Sequence, residues 1–591
     1  MSNIPIRNIA IIAHVDHGKT TLVDHILRQT GTFGERAELT DRHMDSMDLE
    51  KERGITIQAK NASFYYKDIK VNIVDTPGHS DFGGEVERVL DMVDGAILLC
   101  DASEGPLPQT RFVLKKALEQ NIRVIVCINK IDRSDARVQE VVNEVFDLFI
   151  DLDASEEQAD FPIVYAVARE GMATLDPEVK TKDLSILLDW IVEKIPPPKA
   201  DPNGPLQILT TNIGYNNFVG RLAIGRIRSG KVKVGDEVLL CRHDKQVKTK
   251  VTGLFAYKGS EQIQVPELFA GDIGVVAGFE EINIGDTVTS VTDPRPLPRL
   301  NVEEPTVGVQ FMVNDSPFAG REGKLVTSRQ LKDRLERELL YNVSIRVQQS
   351  DSMDVWNVTG RGELQLGVLF ETMRREGYEF QISKPKVIYK KDESGQLLEP
   401  MENAVIDVED VYSGVVNQKL GERRGVLMNM VSKGSGRTRL EFKIPSRGLI
   451  GYRSEFLTDT RGTGLLNTQF AGYEPFKGDI KGRTTAAMIS DRMGKTTPYA
   501  LDTLQERGPL FITDGVEVYD GMIIGEATKG IDLRVNCIRE KKLTNHRASG
   551  SEEQVKLVPV KPMTLEKAME WINDRELIEV TPKNIRLRIR E

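Results

Sequence analysis

The run Ala13-His-Val-Asp-His-Gly-Lys-Thr20 lies between an apolar stretch, Ile6 to Ala13, and a helical pattern beginning near Thr21. A loop in that context is suited to phosphate. The backbone of Asp16, His17, Gly18 and Thr21 together with the helix N-terminus can cradle the anion, Lys19 reaches the β/γ oxygens, and the Thr20 hydroxyl can ligate Mg2+. Ala13 replaces the usual first glycine, and alone the pattern fits an ATP loop or a chance match as well. Val71-Asn-Ile-Val-Asp-Thr-Pro-Gly78 puts Asp75 at a strand end, where a carboxylate can hold Mg2+ through water, and Gly78 where its N–H can sense a γ-phosphate. Between them, Arg53-Gly-Ile-Thr56 offers Thr56 as a second hydroxyl ligand. Asn129-Lys130-Ile131-Asp132, also at a strand end, presents the Asp132 carboxylate to two N–H donors of guanine. Adenine has no such pair, so the four motifs in this order select GTP/GDP with Mg2+.

These residues need a parallel sheet to hold them. Ile6 to Ala13, Val71 to Asp75, Ala96 to Asp101, Arg123 to Asn129 and Pro162 to Ala166 read as its buried central strands. The α/β pattern ends in the proline-rich Ile195 to Gly204, giving a P-loop GTPase domain over 1–200. Short β segments with glycine turns follow, Ser229-Gly230 reading as a hairpin and Gly235-Asp236 as a second turn, so 201–300 is expected to be a β-barrel. From Val307 to Lys386 the order is strand, helix (Ser328 to Tyr341), strand, strand, helix (Leu364 to Gly377), strand, a ferredoxin-like module over 301–388. A second such module is expected over 389–480, and 481–591 forms a last domain with a helix at Leu565 to Asn573. The fold class is multidomain: α/β, then β-barrel, then α+β.

Composition agrees. The 591 residues are 40% hydrophobic and 28% charged, a globular profile without the ~20-residue apolar span that crosses a bilayer. Met1 to Asn8 lacks an export signal, and Cys100, Cys127, Cys241 and Cys537 form no C-x-x-C pair, so a cytoplasmic protein with buried thiols is expected. The net charge of −10 is unevenly spread: −12 over 1–200, 0 over 201–480 and +2 over 481–591. The acidity belongs to the first domain, leaving the others suited to RNA phosphate.

AHVDHGKT, RGIT, DTPGH and NKID in this order resemble the translational GTPases. EPTVGVQFMVNDSPFAGREGKLVTSRQ, GRGELQLGVLFETMRREGYE, IPSRGLIGYRSEFLTDTRGTGLL and VNCIREKKLTNHRASG resemble the BipA/TypA family in particular, so the likeness spans the whole chain. Elongation-factor-G-like translocases carry an extra domain for which Pro385 to Pro400 leaves no room, and elongation factor 4 (LepA) differs in its final domain. The resemblance implies a translation-factor β-barrel, a family-specific C-terminal domain, and GTP hydrolysis stimulated by the ribosome in large-subunit assembly, stress response and translation. It makes His79 the catalytic residue that orients the attacking water, Val15 and Ile55 its hydrophobic gate, and Asp16 a neighbour of a monovalent cation. The third base-contact motif usually reads Ser-Ala-Leu; Ala166-Val-Ala-Arg169 stands here, so Val167 lacks a hydroxyl while Ala168 can offer its N–H to guanine O6.

For RNA contact the candidates are the loop bearing Lys541, Lys542, Asn545 and Arg547, and the terminal strand, whose alternation places Arg586, Arg588 and Arg590 on one face. The resemblance directs the loop toward the ribosomal A site, large-subunit rRNA and tRNA. That strand fits a solvated face equally well, and Arg374 and Arg375 read as an exposed helix face. His14 and His17 have a zinc-like spacing, but a phosphate loop cannot turn both imidazoles to one metal. A monomer without membrane or DNA partners is expected. An elongation factor 4-like factor, an RNA chaperone using GTP as a conformational ligand, and a P-loop kinase are the alternative readings.

Overall fold

The computed structural model describes residues 4–14, 16–32, 48–53, 59–77, 83–216, 218–243, 245–299, 304–340, 342, 344–432, 436–480, 482–483, 485–540 and 556–590. The chain divides into two compact units, Met1–Glu303 with Leu340–Ser344, and Glu304–Leu339 with Ile345–Glu591.

In the first unit, β1 (Ile6–Ala13), β2 (Lys60–Tyr66), β3 (Ile69–Asp75), β4 (Gly95–Asp101), β5 (Arg123–Asn129), β6 (Ile163–Val167) and β7 (Met172–Thr174) form one sheet in the order β2-β3-β1-β4-β5-β6-β7. Strands β3, β1, β4, β5 and β6 are parallel, so their C-terminal ends emerge along one edge. They are mostly apolar because both faces are covered; Ile9, Ile11, Ile97, Leu99, Ile125 and Cys127 pack toward one side and Ala10, Ile12, Leu98, Val126 and Ile128 toward the other. Strand β2 escapes the sequence reading. It joins β3 through Lys67 and Asp68, both at positive φ (48° and 62°), a turn normally signalled by Asn-Gly or Asp-Gly.

The barrel is built on the long strand Gly220–Ser229, which pairs antiparallel with Gln207–Leu209, Asn212–Asn216 and Ile273–Phe279. Ser229-Gly230 is not a hairpin, contrary to the sequence expectation. Gly230 turns at φ 72°, and the following Lys231–Lys233 pairs instead with Glu267–Phe269. A Cβ on Gly230 would stand 2.8 Å from the Gly204 carbonyl oxygen, so the glycine serves a close chain crossing. Barrel and sheet are tied by Lys70–Asp272 (2.8 Å) and Arg226–Asp94 (3.0 Å), and by Ser63 and Gly259, which exchange two backbone hydrogen bonds.

The second unit contains the expected split arrangement: Val307–Met312, helix Ser328–Glu338, Arg346–Gln349, Val355–Gly360, helix Glu363–Arg375 and Phe380–Ser383. The first helix starts in a capping box between Thr327 and Gln330. The break expected at residue 480 falls between two sheets, but the modules expected over 301–388 and 481–591 are not separate, because they share one sheet. Phe380–Ser383 pairs antiparallel with Glu576–Val580, which continues through Ile585–Ile589, Met522–Ala527, Ala486–Ser490 and Leu533–Val535. A separate sheet is centred on Leu397–Glu409, flanked by Arg437–Pro445 and Leu465–Pro475 and backed by helix Asp410–Glu422.

The arginines singled out in the sequence find partners here. The terminal strand alternates as foreseen, and its cations differ in exposure: Arg586 pairs with Glu322 and Glu579 and Arg588 with Asp315 at 2.8 Å, both part-buried, while Arg590 is exposed and donates to Gln310 at 3.1 Å. Arg374 and Arg375 both pair with Glu371; Arg375 is exposed, as expected of a helix face, whereas Arg374 is half-buried and also donates to the Pro582 carbonyl. Alternation fixes which face a side chain takes and says nothing of what waits there.

Candidate active site

The loops after β1, β3, β5 and β6 converge at one edge of the first sheet. Gly18 caps the helix Lys19–Gln29 at φ 93°, and a Cβ there would lie 2.4 Å from Asn129 Nδ2, so glycine is required both for its conformation and for the loop's approach to β5. Asp16 also takes positive φ, 63°. The first helical N–H groups thus face outward from a tight turn, the geometry of an anion cradle.

Lys19, largely buried, sends its ammonium 2.8 Å from Asp75 Oδ1 and donates to the Thr76 carbonyl. Asp75 is 1% exposed, and the Thr76 hydroxyl donates to the Ile11 carbonyl at 2.7 Å, fastening the end of β3 to β1. Thr20 and Thr21 follow, both half-buried.

Asn129 joins three loops. Its Nδ2 donates to the His17 carbonyl at 2.8 Å and its Oδ1 accepts the Ala168 N–H at 2.9 Å. The Ala168 N–H expected to face guanine O6 is therefore held by Asn129 here. Lys130, at φ 61°, reaches back to Asp101 at 2.8 Å, and Asp132 beyond Ile131 pairs with Arg169 at 2.7 Å. Burial alone would raise the Asp101 carboxyl, but hydrogen bonds from Lys130 and from the Ser103 N–H and hydroxyl outweigh it and hold it at about 2. The sequence reading gave Asp101 only as the end of a strand, without a role; its position there, beside the β5 motif, was the available signal.

His17 contributes its backbone to the loop, whereas its ring is fully buried, with Nδ1 3.3 Å from the Leu99 carbonyl and Nε2 3.4 Å from Glu104. The hydrogen bond from His17 lowers the Glu104 carboxyl below its ordinary value. The His14 and His17 rings stand 5.4 Å apart and tilted. Val15, Ile55, Thr56, Gly78 and His79 lie outside the described residues, as do Lys541, Lys542, Asn545 and Arg547.

Comparison with known proteins agrees with this architecture. Residues 4–197 match the elongation factor Tu GTP binding domain, 220–289 elongation factor Tu domain 2, 396–484 the elongation factor G C-terminus and 485–591 the TypA/BipA C-terminal domain. The chain is 53% identical to the large ribosomal subunit assembly factor BipA of Escherichia coli K12, over 99% of this chain and 96% of that protein. Proteins of the same name from Synechocystis and Bacillus subtilis are 50% and 49% identical, each over 99% of this chain and over 98% and 95% of their own lengths. A solved structure from Thermus thermophilus, 17% identical with a TM-score of 0.57, covers 80% of this chain and 98% of its own, and shares the fold. With a G domain and barrel of elongation factor Tu type and near-full-length likeness to these relatives, the chain belongs to the TypA/BipA family of translational GTPases.

Proposed function

We propose that this protein binds GTP with Mg2+ at the loop edge of its first sheet and hydrolyses it on the ribosome, in the assembly of the large subunit for which its relatives are named. The observation that carries the reading is Asn129, whose side chain fixes the phosphate loop and the third base loop to the strand that presents Asp132. Lys19 exchanges Asp75 for the β/γ-phosphates, and Asp132 reads the two N–H donors of guanine. The donor set fits Mg2+, a hard cation that prefers oxygen: Thr20, Thr56 and the Asp75 carboxylate would hold it. Bound there, the ion neutralises charge on the phosphates. His79 orients the attacking water behind the gate of Val15 and Ile55, and Asp16 borders a monovalent cation. The cation-rich loop at Lys541, Lys542, Asn545 and Arg547 contacts rRNA and tRNA near the A site, and the protein acts in the cytoplasm under stress as a monomer.

The test is GTP hydrolysis with and without purified ribosomes. Stimulation by orders of magnitude is expected, and it should vanish in His79→Ala while nucleotide and ribosome binding persist. Stimulated turnover near the parent rate in His79→Ala would remove the catalytic assignment.

A further inference from the structure

We propose that Arg169 competes with the guanine base for Asp132 and thereby shortens nucleotide residence, a role that rests on the GTP reading above. Arg169 Nη2 stands 2.7 Å from Asp132 Oδ2. The arginine side chain is 72% exposed, so the guanidinium reaches over the loop to the carboxylate and is not packed in place. Its backbone, by contrast, is fixed. Ala168 is held by Asn129, and Gly171 closes the short turn Ala168–Glu170 at φ 65°, where a Cβ would meet His25 Nδ1 at 2.7 Å. The side chain is the movable part.

The neighbouring cations are committed elsewhere. Lys130 lies 2.8 Å from Asp101, and Arg133 forms its close pair with Asp135 at 2.7 Å. Arg169 has an alternative partner in Glu170 at 3.8 Å, toward which it can swing when Asp132 is taken. Guanine offers two N–H donors and needs both carboxylate oxygens, whereas Arg169 holds one of them. Entry of the base therefore exchanges one charge-assisted bond for two.

The experiment is stopped-flow release of N-methylanthraniloyl-GDP from the full chain, comparing parent, Arg169→Leu and Arg169→Gln. Both variants should release nucleotide about two- to five-fold more slowly, the factor corresponding to an exposed ion pair. Added salt should slow release from the parent by screening the competitor and narrow its gap from the variants. In Asp132→Asn, followed with N-methylanthraniloyl-xanthosine diphosphate, Arg169→Leu should have no further effect, because the charged partner is gone. Unchanged or faster release from Arg169→Leu overturns the competition while leaving the guanine reading standing. Equal displacement of the probe by ADP and GDP in the parent would instead overturn the guanine reading and this proposal with it.

Discussion

Two sets of cations in this protein are paired with carboxylates, and they are built differently. At the loop edge of the first sheet, Lys19–Asp75 and Arg169–Asp132 sit at strand ends, each within reach of other partners. In the second unit, the pairs around the terminal strand form a closed web. Glu579, fully buried, accepts from Asn314, Ser316, Arg586 and Tyr519, while the equally buried Glu379 accepts from Asn314 and the N–H groups of Gly320 and Gly323. The first arrangement can exchange partners. The second cannot give one up without stranding others, which suits it to holding the loop 314–324 against the shared sheet.

The largest expected effect breaks the second arrangement. Glu579→Ala removes the acceptor of four donors and leaves Arg586 buried beside a lost partner, a change costing about 3–5 kcal/mol. Hydrogen exchange across residues 314–324 should quicken by roughly two to three orders of magnitude. Exchange at the parent rate would mean that the loop is held by Glu379 alone.

Asn129→Ala tests the first arrangement where it is not exchangeable. It strands the buried Ala168 N–H and the His17 carbonyl, at about 1–3 kcal/mol, so GDP affinity should fall roughly tenfold to a hundredfold. Titration calorimetry giving the parent affinity would show that the three loops hold their positions without the asparagine.

The smallest effect is a pH dependence. Asp101 is held near 2 in the folded protein and titrates near 4 when unfolded, so the unfolded state takes up the proton first as pH falls. Its contribution is complete above about pH 4 and is lost between about 4 and 2. Urea midpoints of the parent should decline more steeply across that window than those of Asp101→Asn. Parallel curves would show that Lys130 does not stabilise the carboxylate.

The nucleotide edge was legible because its signals are local. Ile6–Ala13 and Arg123–Asn129 fall where the apolar runs placed them, and Asp75 and Asn129 end their strands as the motifs require. Strand β2 was missed because Lys67-Asp68 turns without the usual glycine. The sheet shared by Phe380–Ser383 and Glu576–Val580 was missed because its two strands lie almost two hundred residues apart, and neither carries a mark of the other.

The amino-acid sequence by itself determined where the motif residues stand, at the ends of Ile6–Ala13, Ile69–Asp75 and Arg123–Asn129, since motif spacing and hydrophobic period are properties of neighbouring residues. The tertiary structure alone decided who pairs with whom. Arg586 and Arg588 look as free in the sequence as Arg169 does, yet the first meets buried Glu579 and the second Asp315, while the third meets Asp132 at the loop edge. Burial and partner choice arise from contacts between distant segments, and a charge acquires its role only when the fold sets what lies opposite it and how much water remains.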